Sequence, residues 1–224
     1  MIRKLFICPY FGHLPPWMPA YMHNVSKQLG PHGYDVLIDH NLKRFRARAK
    51  KLLRVECPPM FGNGKVHDFR AVLGVLYQDE IAGYDFWGHT DFDIVYGNPA
   101  AFVTDEFLAE LDIHSDGWDY VNGPWTLYRN TEANARLFEA ESGWRDIVEH
   151  PVTTGWVESI YADHVKDQVG SRFRITNWQT RNLDHFGSLY FRDGRLFEGS
   201  RGEVLFAHFR RTKRYPPQLI PETT

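Results

Sequence analysis

Three segments near the start of the chain restrict its fold more than any other feature. Leu5 to Cys8 is an apolar run of strand length. Pro15 and Pro16 open a helical stretch that reaches about Leu29, where Gly30 and Pro31 stop it. Tyr34 to Asp39 is a second strand, rich in Val, Leu and Ile. Strand, helix, strand at this spacing gives a βαβ unit with parallel strands, and hence an α/β fold. In such open sheets, ligands bind outside the carboxyl ends of the strands.

The central stretch fits that frame. Tyr84-Asp85-Phe86-Trp87-Gly88 runs into His89-Thr90-Asp91-Phe92-Asp93, and the turn residues Gly97-Asn98-Pro99 follow. An aromatic interior strand therefore ends by presenting two carboxylates spaced i, i+2. Carboxylate oxygens are hard ligands suited to Mg²⁺ or Mn²⁺, which commonly accompany substrate phosphates. The motif alone is weakly specific, because Asp-x-Asp also occurs in solvated turns.

The rest of the chain reads as one domain over residues 1–214, with a polar, Pro-rich tail at 215–224 expected to be mobile. A loop with Pro58, Pro59, Gly62 and Gly64 precedes a helix from Phe69 to about Ile81, which Asp68 can cap. Thr104 starts another helix. Trp118–Asn122 and Trp125–Tyr128 are strand-like, and Thr131–Glu139 and Gly155–Lys166 are helical. Asp193-Gly194 is a hairpin turn signal between Ser188–Phe191 and Arg195–Phe197.

Charge is uneven although the net charge is only −2. Leu42 to Arg54 has a helical stripe at Leu42, Phe45, Ala49, Leu52 and Leu53. Its other face carries Lys43, Arg44, Arg46, Arg48, Lys50, Lys51 and Arg54, with no acid between them. Either this is a solvated helix face or it is a patch for a polyanion or an anionic surface. A second basic run, Arg210 to Arg214, lies near the end.

Other classes are disfavoured. No glycine-rich phosphate loop of the Walker type occurs, and no Gly-x-Gly-x-x-Gly follows a strand. The eleven histidines show no metal-binding spacing. Two cysteines, Cys8 and Cys57, make no disulfide framework, and no apolar run is long enough for a signal or a span, so a soluble cytoplasmic protein is expected.

Several pieces together resemble a group of small bacterial and phage glycosyltransferases with a GT-A fold. They are Cys8-Pro9-Tyr10-Phe11-Gly12, Lys65-Val66-His67-Asp68-Phe69-Arg70, Gly83 to Gly88 continuing into Asp91-Phe92-Asp93, Leu127-Tyr128-Arg129-Asn130, and His208-Phe209. The resemblance implies a single GT-A-like domain with a mixed, mostly parallel central sheet flanked by helices. It implies a nucleotide-sugar donor, UDP-sugar favoured, and Mn²⁺ or Mg²⁺. Asp91, Asp93 and His208 match the metal ligands, with Asp91 contacting either the ribose or a metal-bound water. Pro9, Tyr10, Phe11 and Gly12 would border the nucleotide, and Lys65, Asp68 and Arg70 match a nucleotide-side motif. The family usually has Lys-Pro where this chain has Arg70-Ala71, which leaves the role of Arg70 open.

Acceptor chemistry is read partly from the residues and partly from the resemblance, whose family carries an aromatic-x-Glu in the region of Glu158. An inverting transfer needs a base for the acceptor hydroxyl. Glu158, after Gly155-Trp156, is the first candidate and Asp163 the second, although Glu158 is equally a surface residue of a helical turn. Trp125 and Trp156 are candidates for stacking on a sugar, or else core. Arg44, Arg48 and Lys51 would touch a polyanionic acceptor. That acceptor is either a glycan or a hydroxymethylated base in DNA, which would have to be extruded. The competing classes are a non-catalytic nucleic-acid-binding module on the same fold and a metal-dependent phosphodiesterase. The latter would want more clustered ligands.

Overall fold

The computed structural model describes residues 1–60, 64–117, 120–121, 123–181, 189–199 and 202–209. Its centre is a six-stranded sheet made of β1 (Lys4–Pro9), β2 (Tyr34–Asp39), β3 (Phe86–Thr90), β5 (Ile113–Asp116), β6 (Trp125–Arg129) and β7 (Phe173–Thr176). The order is β2-β1-β3-β6-β5-β7. Only β6 runs against the others; β1–β2, β1–β3 and β5–β7 are parallel pairs. The expected mixed, mostly parallel sheet is therefore present.

Both faces of the sheet are covered, which is why its first and third strands are almost wholly apolar. Leu5, Ile7 and Trp87 face one core, together with Phe45, Ala49 and Leu53 from the helical segment Leu42–Leu53. Phe6, Cys8 and Phe86 face the other, with Tyr21, Val25 and Leu29 from Met18–Leu29. Each large side chain removed from water in this way contributes about 1.5–3 kcal/mol. Gly88 lets β3 and β6 approach, because a Cβ there would collide with the Thr126 carbonyl.

Two small sheets extend from this core. One is β4 (Ile94–Tyr96), β12 (Phe206–His208) and β8 (Thr180–Arg181), in the order β4-β12-β8. The other is β9 (Leu189–Arg192), β10 (Arg195–Glu198) and β11 (Gly202–Glu203). The β9–β10 hairpin turns at Asp193 (φ 52°) and Gly194 (φ 71°), both left-handed as Asp-Gly favours.

Some elements differ from the sequence reading. β5, β7 and the short helix Trp144–Glu149 were not expected. β5 reads Ile-His-Ser-Asp and so lacks an apolar signature, yet all four residues are buried. Asp68 is not a helix cap. It lies inside a 3₁₀ segment, Lys65–Val72, and its carboxylate faces another loop. Thr104 and Thr131 do cap, accepting from Phe107 N and Asn134 N. Ser188, Trp118, Asp119, Asn122 and the basic run 210–214 fall outside the described residues, as does the tail. No helix among the described residues is long and apolar enough to cross a membrane.

Candidate functional site

The carboxyl ends of β1, β2, β3, β5 and β7 share one edge of the sheet. Antiparallel β6 begins there, because Thr90 pairs with Trp125. Asp91 follows β3 at that edge, and Asp93 immediately precedes β4. β4 pairs antiparallel with β12 so that Ile94 lies opposite His208. The Phe209 amide donates to the Asp93 carbonyl at 3.0 Å, closing the same ladder. This register is what brings a residue from the far end of the chain beside the acid pair.

Asp91, Asp93 and His208 each offer a ligand atom, and these atoms lie within 4.8 Å of one another. His208 Nε2 is 3.4 Å from Asp93 Oδ1 and 3.9 Å from Asp91 Oδ2. Asp93 and His208 are buried, and Asp91 is half-buried. His208 Nε2 is buried without a hydrogen-bond partner among the described residues. An imidazole nitrogen left so, facing two carboxylates, is a donor set that fits a divalent cation such as Mn²⁺.

Arg70 reaches the same place. Its guanidinium pairs with Asp91 Oδ1, with side-chain exposures of 9% and 18%. It lies flat against Gly123, where a Cβ would collide with it. The Gly123 carbonyl meets His89 Nδ1 at 3.0 Å. Burial, and then the charge of Arg70, push His89 down to about 3, so it is neutral here. Cys8 donates from Sγ to the Thr90 carbonyl at 3.0 Å, and burial together with Asp91 keeps it a thiol by raising its pKa. It is floor for the site and no nucleophile.

Other expected residues divide. Tyr10 is half-buried at the rim, edge-on to Phe92 at 5.1 Å, and Pro9 and Gly12 lie beside it. Phe11 instead turns into the core against Phe45. Lys65 and Asp68 are both fully buried and pair at 2.8 Å. Asp68 also accepts from the Thr154 and Gly155 amides, and Trp156 Nε1 donates to the Asp68 carbonyl. These two therefore tie the 154–156 loop to the segment bearing Arg70 and do not face an open nucleotide edge. The tie matters because Glu158 follows that loop, exposed, on the turn Trp156–Glu158. Asp163 is 77% exposed and faces Lys166.

Two expectations are corrected. Trp125 and Trp156 are core, at 0% and 2% exposure, and have no face for a sugar. Trp125 Nε1 donates to His114 Nδ1 at 3.4 Å. His114 Nε2 then donates to Thr176 Oγ1, which donates to Asp116 Oδ1, each at 2.9 Å. The basic helix is also not the uninterrupted patch that its sequence suggests. Arg44 pairs with Asp39 at 2.9 Å, Arg48 with Glu80, and Lys50 with Glu56 at 2.6 Å. Lys43, Lys51 and Arg54 remain exposed. Sequence reasoning missed Gly123 altogether. Its only signal was the Gly-Pro pair before a strand, which reads as an ordinary turn.

A family model described as a family of unknown function, DUF6625, matches residues 34–214. No curated protein matches. A solved glycosyltransferase involved in the glycosylation of the major capsid of PBCV-1 superposes with a TM-score of 0.55. The match covers 95% of this chain and 96% of that one, at 11% identity. The galactosyltransferase LgtC, in complex with donor and acceptor sugar analogs, gives a TM-score of 0.46 at 14% identity, covering 93% of this chain and 87% of that one. The fold is that of the GT-A glycosyltransferases.

Proposed function

We propose, from the premise that the chain belongs to DUF6625 and has a GT-A fold, that it is a metal-dependent glycosyltransferase with a nucleotide-diphosphate-sugar donor, UDP-sugar favoured. The observation that carries this is the Asp91, Asp93 and His208 cluster at the carboxyl edge, with a buried imidazole nitrogen turned towards the acids. Asp93 and His208 would hold Mn²⁺ or Mg²⁺, with Asp91 beside them. A bound cation would neutralise the charge that builds on the diphosphate as the sugar leaves. Tyr10 at the rim would cover the nucleotide.

In the transfer, the bond from the anomeric carbon to the diphosphate oxygen breaks. The acceptor oxygen bonds to that carbon, and its proton goes to a base. Glu158 is the proposed base, since Asp68 fixes the preceding turn relative to Arg70. Glu158→Gln should slow transfer about 100-fold or more while leaving donor binding near normal. Near-normal transfer would place the base elsewhere.

A carbohydrate hydroxyl is the favoured acceptor. The DNA reading rests on the basic helix and on the run Arg210 to Arg214, and in the helix Arg44, Arg48 and Lys50 are already matched with acids. The non-catalytic nucleic-acid reading leans on the same helix. Calorimetric titration of UDP with and without Mn²⁺ tests the donor site. Binding that needs Mn²⁺ supports it. UDP binding indifferent to Mn²⁺, or none with UDP, GDP and other diphosphates, would overturn it.

A further inference from the structure

Arg70 and a divalent cation would make opposite demands on one carboxylate. Asp91 Oδ1 is already held by a buried guanidinium, and a cation bound at Oδ2, which lies 3.9 Å from His208 Nε2, would share the carboxylate with Arg70. Like charges at such a distance in a poorly hydrated site repel strongly. A diphosphate changes the balance, because it supplies oxygens that suit both a planar guanidinium fork and a metal. The guanidinium is the end of a long side chain, and one part of it rests on Gly123, which has no side chain to pin it.

We propose that Arg70 is a positioning residue that masks the metal site until a diphosphate arrives. It pairs with Asp91 before a diphosphate binds, then swings to the diphosphate and leaves Asp91 to the cation. Metal and nucleotide are thereby made to bind together. Metal alone binds weakly, and each ligand raises the affinity for the other by the same factor, as linkage requires. This inference rests on the proposed donor site. Its particular content is the antagonism between Arg70 and the cation.

The experiment is titration of MnCl₂, followed by the loss of the free Mn²⁺ signal in electron paramagnetic resonance, with and without saturating UDP. It compares the wild type with Arg70→Met and Gly123→Ala. Arg70→Met removes the charge. Gly123→Ala keeps Arg70 and displaces its guanidinium from Asp91. Both should bind Mn²⁺ alone about tenfold more tightly than the wild type, within the usual range for coupled sites. In Arg70→Met, UDP should improve Mn²⁺ binding far less than it does in the wild type. Equal Mn²⁺ affinity in all three proteins without UDP would overturn the inference while leaving the donor site standing. Wild-type UDP binding that ignores Mn²⁺ would instead remove the donor site itself. Circular dichroism of both variants shows whether they are folded, and Gly123→Ala keeps the test open should Arg70→Met fail to fold.

Discussion

The same sheet edge carries two acid–histidine groups, and they have opposite characters. At β3 and β12, Asp91 and Asp93 face His208, whose Nε2 has no hydrogen-bond partner among the described residues. At β5 and β7, His114 accepts from Trp125 and donates to Thr176, which donates to Asp116. The Trp178 amide gives Asp116 Oδ1 a second donor at 2.8 Å. Residue types are alike in the two places. What differs is whether the imidazole nitrogens are matched. In the second group each imidazole nitrogen has a neutral partner, and the result is structure. In the first, Nε2 faces two carboxylates with no hydrogen-bond partner among the described residues, a donor set that a cation would fit.

The largest effect that could break this contrast is at Asp93. Asp93→Ala should weaken Mn²⁺-dependent UDP binding by more than about 100-fold, beyond what the loss of a supporting residue usually costs. Unchanged calorimetric affinity would make the first group as inert as the second.

Acid should attack the second group through stability. Burial lowers His114 from 6.5 to about 3, so the folded protein keeps it neutral while the unfolded chain takes up a proton below pH 6.5. The stability it supports is present above pH 6.5 and is lost as pH falls towards 3. Between pH 7 and pH 5 the loss is about 2 kcal/mol. Denaturant titrations at the two pH values measure it, and His114→Gln should flatten the dependence by that amount. An unaltered slope would mean that His114 is not held neutral.

A smaller change sharpens the comparison. Asp116→Asn keeps an acceptor for Thr176 and Trp178, so it should cost about 1 kcal/mol in denaturant unfolding and leave Mn²⁺ affinity within about twofold. A large loss of metal affinity would show that the two groups act as one. The smallest effect is expected on the basic helix. Replacing Arg44, Arg48 and Lys51 by Gln should change affinity for duplex DNA by less than about threefold at any salt concentration. A steep loss at low salt would restore the polyanion reading.

The fold was legible because its evidence is local. Leu5–Cys8, Tyr34–Asp39 and the Phe86–Thr90 run announce buried parallel strands by composition alone. The acid pair was legible for the same reason, and His208 because the resemblance covered it. What stayed hidden depends on partners distant in sequence. Asp39 and Glu80 quench Arg44 and Arg48 from outside the basic helix. Lys65 and Asp68 look like ligand-binding charges, yet they satisfy each other and two amides of the 154–156 loop. β5 was overlooked because a buried His-Ser-Asp is apolar in effect only once its hydrogen bonds are known. Gly123 could not be singled out at all, since its meaning lies in the side chain resting on it.

The β4–β12 pairing also has a consequence for how the protein is made. Asp93 and His208 meet through strands from the middle and near the end of the chain. During synthesis the βαβ core of β1, β2 and β3 is complete long before His208 leaves the ribosome, and such pairings of distant segments form late. The half-built sheet therefore has Asp91 and Asp93 before the residue that would complete the proposed metal site. Arg70 is made before either acid, so from the start the nascent edge carries its own counter-ion. On the proposed metal reading, capture of a stray cation by an unfinished chain would be disfavoured until β12 docks.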